Sequence, residues 1–428
     1  MTFASMKLKR ALVASAAGVW GDEPTPERGV PILRSTDIDI NGVIDPRNAA
    51  LRDLAPRDLA VTRLRVGDLV VVKSSGSDAH LGKAGLVTAE VAAGGFGYSN
   101  FLQRLRVSAS FESRFVWYFL NSSLVKNQVK LLSSTSTGLQ NLSASLIGEL
   151  ALPVPSLDEQ RRIANFLDVE TARIGRLVGA RKRQLKLIEE RELSRVFNAV
   201  SGSEEPGPRK ISGLRWIKDV PVDWPVLTVS SQYEVLLGKM LNQDRVRGKH
   251  LRPYLRNSNV QWDHIETEDL LCMDFPPHER SRYEVRAGDL LICEGGQPGR
   301  CAVWDGAVKE IYYQKALHRA RSRGRSSVWW LFYCLRAATA VDVFSAEGNS
   351  TTIGHLTGEQ LREHRFPFPE RKMQDRLVLQ LQEAAEWSKK TACSLAGQVD
   401  LFTERRQAVI TAAVTGAIDV TTASGMDA

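Results

Sequence analysis

Apolar residues fall in two rhythms along this chain, and each rhythm occurs twice. Around residues 69 and 290 they gather in short unbroken runs, Leu69-Val70-Val71-Val72 and Leu290-Leu291-Ile292-Cys293, each introduced by Gly-Asp (Gly67-Asp68, Gly288-Asp289). A turn signal leading into four apolar residues predicts a buried strand, and polar, Gly-containing sequence follows both. Phe115-Val116-Trp117-Tyr118-Phe119-Leu120 and Val328-Trp329-Trp330-Leu331-Phe332-Tyr333 are aromatic runs with helix-compatible neighbours, which predicts core helices packed on a sheet.

The second rhythm alternates by three and four. Positions 378, 381, 385, 388, 392, 395, 399, 402 and 409 carry Val, Leu, Ala, Ser, Ala, Leu, Val, Phe and Val, a heptad seam interrupted by Arg406. Moving back 214 positions gives Ala164, Leu167, Thr171, Ile174, Val178, Arg181, Leu185 and Ile188, the same seam with two polar interruptions. Two long helices are expected, over 156–200 and 370–415. The first opens with Pro155 and the capping-box pattern Ser156-Leu157-Asp158-Glu159, and its rod length is roughly 65 Å at about 1.5 Å per residue. Glu370 to Met373 lacks that cap. Neither helix hides its seam alone. Pairing as an antiparallel coiled coil is expected, through Leu167, Ile174, Val178, Leu185 and Ile188 on one side and Leu381, Leu395, Val399 and Phe402 on the other; the alternative folds each helix back on its own domain.

The offset of 214 recurs beyond the helices. LSASLIGELALPVPSLDEQ (142–160) aligns with LTGEQLREHRFPFPERKMQ (356–374), so that Pro153, Pro155 and Gln160 fall on Pro367, Pro369 and Gln374. Upstream the register slips slightly: Ile32-Leu33-Arg34 falls on Tyr254-Leu255-Arg256, and Tyr98, Leu102, Arg104 and Arg106 on Tyr313, Leu317, Arg319 and Arg321. A period this long exceeds the roughly 20–50 residues of solenoid repeats. The fold class expected is α+β: two tandem pseudo-symmetric domains at 1–155 and 216–369, each followed by its long helix, with a Pro/Gly-containing linker at 201–215 and a tail at 416–428.

Composition permits this and narrows the chemistry. The 428 residues are 43% hydrophobic, enough for two cores, and the net charge of +8 suits a polyanionic partner without requiring one. The five cysteines, Cys272, Cys293, Cys301, Cys334 and Cys393, lie in the second half without a Cys-x-x-Cys pair, which argues for a reducing cytoplasm. Met6 to Arg10 followed by ALVASAAGVW imitates a secretory signal, but its apolar run is weak and the matching Val226 to Met240 reads as folded sequence. No stretch reaches the roughly 18 apolar residues of a membrane span.

No catalytic constellation is apparent. Asp274-Phe275-Pro276-Pro277-His278 imitates an amino-methyltransferase loop in the wrong order, and no glycine-rich cofactor turn or nucleotide-binding P-loop accompanies it. The seven histidines lack metal-ligand spacing. What the copies share is polar loop chemistry. After the apolar strand come Lys73, Ser74 and Ser75 with His80 and Lys83 in one copy, and Glu294, Gln297 and Arg300 in the other. Lys and Arg contact phosphates or guanine, Gln and Asn read adenine, and Glu accepts from cytosine. The strand bearing Arg104 and Arg106, like that bearing His318, Arg319 and Arg321 after Lys315, places alternating basic residues on one face; a solvated strand is the plainer alternative. A third polar loop, with Gln140 and Asn141, matches one with Thr351 and Thr352. Arg34 and Arg256 complete the candidate set for DNA contact.

LPVPSLDEQRRIANFLDVETARI, GLRWIKDVPVDWPV, AGDLLICEGGQPGRCAVW and YYQKALHRAR, in this order, resemble the DNA-specificity subunit of type I restriction–modification systems over nearly the whole chain. The resemblance implies two target-recognition domains, each reading half of a split, asymmetric site in double-stranded DNA. It implies two modification subunits on the helices and leaves the presence of restriction or translocase subunits open. S-adenosylmethionine, Mg and ATP then belong to those partners, and this chain carries no cofactor, metal or catalytic residue. An enzyme modifying DNA by itself and a coiled-coil adaptor without DNA binding are the competing functions. Two departures stand out. The first copy lacks the Gly-x-x-Trp motif of Gly213 to Trp216, and Met373 stands where Glu159 does, so asymmetric docking is expected.

Overall fold

The structure, a computed structural model, describes residues 3–24, 29–75, 80–132, 140–241, 248–346 and 355–420. The chain divides into two compact units, Met1–Lys182 with Ala396–Ala428, and Arg183–Leu395. Each unit contains one α+β domain and half of each long helix.

In the first unit an antiparallel four-stranded sheet runs in the order Leu12–Ala17, Leu102–Val107, Leu69–Val72, Ala84–Leu86. A second sheet orders Ala50–Arg52, Val30–Leu33 and Gly97–Tyr98, the last pair parallel. The alanine-rich run near the start of the chain is therefore an edge strand. Leu69 to Val72 are all buried, as expected for a strand covered on both faces. One core lies between this sheet and the aromatic helix Ser113–Leu120, with Phe115, Val116 and Phe119 fully buried, and another faces Val70, Val72 and Tyr98.

The second unit repeats the design. Its four-stranded sheet runs Tyr233–Leu237, Leu317–Ser322, Leu290–Cys293, Cys301–Val303, and its three-stranded sheet Leu271–Asp274, Leu251–Leu255, Tyr312–Tyr313, again with one parallel pair. The aromatic helix Val328–Ala340 buries Trp330, Leu331 and Phe332 in its core.

The long helices span Leu157–Ser201 and Arg371–Thr415, 45 residues each. Both stop in the same way. Gly202 and Gly416 take φ of +63° and +73°, and the following amides reach back five residues, Ser203 N to Asn198 O at 3.0 Å and Ala417 N to Ala412 O at 2.8 Å. Glycine adopts this left-handed conformation without a Cβ penalty, and the reach-back bond satisfies a free helix carbonyl. Within the first unit, Ile163 and Leu167 share a core with Ile410, Ala413 and Val414, while Arg181 Nε donates to Gln398 Oε1 at 2.8 Å. Numbers rise along one helix as they fall along the other, so the pair is antiparallel. Within the second unit, Val196 and Val200 share a core with Leu377 and Leu381, and Arg376 bonds Glu205 at 2.7 Å. The seam lies on the protected face of each helix. Leu167, Ile174 and Leu381 are buried, and Val178, Leu185, Ile188, Leu395, Val399 and Phe402 are half-buried among exposed neighbours.

The stretch after the first helix is not a free tether. Arg209–Ile211 pairs with Asp219–Pro221, and the Arg209 guanidinium donates to the helix-terminal carbonyls of Gly202 (2.6 Å) and Ser201 (3.1 Å). Among the described residues, no helix is long and apolar enough to cross a membrane.

Candidate nucleic-acid interface

A charged frame lies inside each sheet and is the same in both units. Gly67 and Gly288, at φ +84° and +88°, make the turn that presents the next residue, an aspartate. Asp68 accepts from Arg65 N at 2.8 Å and from both Nε and Nη2 of Arg106 at 2.7 Å. Asp289 does the same with Arg286 N and Arg321. Arg104 donates to the carbonyls of Val61 and Arg63, and Arg319 to those of Arg282 and Glu284. The hydroxyls of Tyr98 and Tyr313 donate across to Ala16 O and Leu236 O.

This frame corrects the reading of the basic strands as a DNA-facing surface. Arg104 and Arg319 are 8% and 1% exposed and spent on backbone carbonyls, Arg319 on the Glu234 carboxylate as well. His318 is fully buried, its Nε2 2.8 Å from Leu356 O, and burial pushes its imidazole below the usual histidine range. Lys83 is buried as well, bonded to Ile38 O and 2.9 Å from His80 Nδ1, with its ammonium pushed below the usual lysine range by burial. Arg34 is held by Asp37 and Asn48 O, and Arg256 by Asp269. The sequence showed arginines at alternate positions; it did not show that the aspartate after each glycine turn, and loop carbonyls, stand opposite them.

The polar loops are where the units differ. In the first, Ser74–Ser75 pairs with Gln140–Asn141, Ser75 opposite Gln140 and Ser74 opposite Asn141, and Leu142 N donates to Lys73 O at 2.7 Å. Two loops that are distant in sequence thus meet at the end of the buried strand. Lys73, Ser74 and Ser75 are half-buried and His80 is exposed; the side chains of Gln140 and Asn141 lie outside the described set. Phe101, 53% exposed, joins them through the bond from Lys73 N to Phe101 O at 2.9 Å.

In the second unit the corresponding bonds run from Leu356 N to Glu294 O (2.7 Å) and from Glu294 N to Ala316 O (3.0 Å). Glu294, Gln297 and Lys315 are thereby brought to one edge beside His355. Gln297 and Lys315 are exposed and Glu294 is half-buried. Arg300 turns inward, donating to Asn257 O at 3.1 Å. Thr351 and Thr352 lie outside the described residues.

Sequence reasoning noted Gln160 and Gln374 as a match and missed their task. Gln160 Oε1 accepts from Glu112 N (2.9 Å) and its Nε2 donates to Pro155 O (3.0 Å); Gln374 bonds Ser327 N (2.9 Å) and Pro369 O (2.8 Å). Each is 1% exposed and ties the proline corner to the start of the aromatic helix. Gly18 and Gly238 were missed outright: a Cβ on either would sit 2.2 Å from a carbonyl oxygen, of Tyr98 and Gln314 respectively.

The Asp274-Phe275-Pro276-Pro277 motif is structural. Lys239, 3% exposed, bonds Asp274 O and Glu279, and Phe275 stacks on Tyr312 with centroids 4.3 Å apart. Among the described residues no group of three His, Cys, Asp or Glu is placed to hold a metal ion.

Residues 68–187 match the family described as the type I restriction modification DNA specificity domain. The chain is 25% identical over 293 residues to the type I restriction enzyme EcoKI specificity subunit of Escherichia coli (strain K12), covering 68% of this chain and 60% of that one. It is 22% identical over 238 residues to the putative type I restriction enzyme MjaX specificity subunit of Methanocaldococcus jannaschii, covering 54% and 53%. The chain thus spans about 60% or less of the length of these curated relatives. A solved structure described under complex assembly and conformational transition of the type I R-M system superposes with a TM-score of 0.74 at 17% identity, covering 97% of this chain and 98% of that one. The HsdS subunit from Thermoanaerobacter tengcongensis gives a TM-score of 0.54 at 18% identity, with 97% of each covered. Both likenesses are of fold.

Proposed function

Since residues 68–187 match the type I restriction modification DNA specificity domain, we infer that the chain is the sequence-specific DNA-recognition subunit of such a complex and catalyses no reaction itself. Each unit reads one half of a bipartite, asymmetric site in double-stranded DNA. Lys73, Ser74, Ser75, His80, Gln140 and Asn141 serve one half; Glu294, Gln297 and Lys315 serve the other. The observation that carries this reading is the contrast within the repeat. The internal frame is the same in both units, while the polar loops hung at the same sheet edge differ. Two readers of different sequences on one scaffold have this form, because phosphate contacts position a protein and base contacts specify.

Two modification subunits dock on the helices and bring S-adenosylmethionine; restriction or translocase subunits bring Mg and ATP. Exposed apolar side chains on the second helix support the docking: Leu379, Trp387 and Leu401 are 57%, 52% and 64% exposed. Within the second unit, Trp387 also borders a groove of about 550 Å³ with Arg191, Arg195 and Leu381.

Methylome sequencing of a methylation-free host carrying this chain and its modification subunits tests the reading. A bipartite motif that disappears when this chain is deleted is expected. Methylation that persists without the chain, or DNA cleavage or methylation by the purified chain alone, overturns it.

A further inference from the structure

The loop from Glu294 to Arg300 is tied at both ends to one residue that no motif singled out. Asn257, just after the strand Leu251–Leu255, donates from Nδ2 to Gly295 O at 2.9 Å, and its own carbonyl accepts from Arg300 Nη2 at 3.1 Å. The loop closes on itself as well: Cys293 N donates to Arg300 O at 2.7 Å and Gly299 N to Cys293 O at 3.1 Å. Its glycines leave no slack. Gly296 and Gly299 take φ of +76° and +87°; a Cβ on Gly296 would lie 3.3 Å from Asn257 Nδ2, and one on Gly299 would lie 2.7 Å from Phe344 and from Thr339 Oγ1. The Arg300 Nε is buried, so this guanidinium serves the loop, and the exposed Gln297 is left at the tip.

We propose that Asn257 is a positioning residue for base readout by the second unit: it fixes the Glu294–Arg300 loop in advance, so that Gln297 meets the groove without an ordering cost. The proposal rests on the DNA-reading function above. The repeat places Ser35 where Asn257 stands, since Tyr254 falls on Ile32. A change at Asn257 therefore alters the second unit alone and acts on one half-site.

Asn257→Asp keeps the shape and removes the donor to Gly295; Arg300→Lys loosens the other end of the loop, so the test does not hang on one variant folding. Each variant is purified with the modification subunits and titrated by competition against duplexes carrying the methylated motif with every base pair permuted in turn. Discrimination in one half-site is expected to fall about tenfold, the order of a single mismatch. The other half-site, unchanged, reports that the complex is folded. Unaltered discrimination in both halves, or a uniform loss of affinity over all duplexes, overturns the positioning role while leaving DNA reading intact. A wild-type complex without motif preference removes the DNA-reading premise and this inference with it.

Discussion

Asp289 receives two parallel hydrogen bonds from Arg321, 2.7 Å from Nε and 2.6 Å from Nη2, on a carboxylate that is 2% exposed. The same aspartate also accepts from Arg286 N at 2.7 Å, so it closes a turn and anchors a strand at once. Removing the buried carboxylate leaves its guanidinium partner, 26% exposed, without its counter-charge. Asp289→Asn is expected to destabilise the protein by about 3 kcal/mol, and Asp68→Asn by a similar amount through Arg106. Urea unfolding followed by fluorescence checks this; a loss below about 1 kcal/mol in either variant contradicts the structural role of the pair.

Gln160 and Gln374 each satisfy two backbone groups that water does not reach. Leucine in either place fills the volume but strands an amide and a carbonyl, each costing about 1–3 kcal/mol. Gln374→Leu is expected to lower the melting temperature by roughly 5–10 °C, at about 2–4 °C per kcal/mol for a unit of this size. Gln374→Glu, which keeps the acceptor for Ser327 N but loses the donor to Pro369 O, is expected to fall between leucine and wild type. Calorimetry of the three proteins decides, and a leucine variant as stable as wild type counts against the account.

Acid should weaken the second unit. His364 sits between Phe344 and Phe366, with ring centroids 5.2 and 4.7 Å away, and burial pushes its imidazole down to about 4. An unfolded histidine titrates near 6.5, so between these values the unfolded chain binds the extra proton. The stability contributed by neutral His364 is whole above about pH 6.5 and is lost as pH falls towards 4, by roughly 2–3 kcal/mol. His318, also lowered by burial, adds to the same slope. The first unit has the buried Leu150 at the position matching His364. His364→Leu is expected to flatten the stability profile between pH 6.5 and 4; an unchanged slope in urea titrations across that range refutes it.

Much of the architecture was legible because periodicity reports burial directly. The seam at Leu167, Ile174 and Leu381 and the runs at Leu69 and Leu290 follow from spacing alone. The site was less legible, because a side chain's destination depends on what the fold sets opposite it. Arg104 and Arg319 carry the charge of a phosphate contact and are buried under loop carbonyls that follow no local pattern. Arg300 had the right chemistry for guanine and turned inward to Asn257, a pairing 43 residues apart in sequence. Gln160 was visible as a repeated letter, yet its two partners lie in other elements, and only the folded chain names them.

Lys315 and Arg319, four residues apart, should therefore part company in experiment. Lys315 is exposed at the loop edge of the second unit, whereas Arg319 is 1% exposed and bonded to Glu284 O at 2.5 Å and Glu234 at 3.2 Å. A lysine that meets a phosphate contributes affinity to every sequence alike through counterion release. Lys315→Ala is expected to weaken DNA binding by the assembled complex on all duplexes and to reduce the slope of log affinity against log salt by about 1, with the unfolding midpoint unchanged. Arg319→Ala is expected to lower the unfolding midpoint instead, since it opens a buried void and strands the carbonyls of Arg282 and Glu284. Salt-dependent binding and urea titration of both variants separate the two roles. A Lys315 variant that keeps the full salt slope removes this residue from the interface, and an Arg319 variant of wild-type stability removes it from the frame.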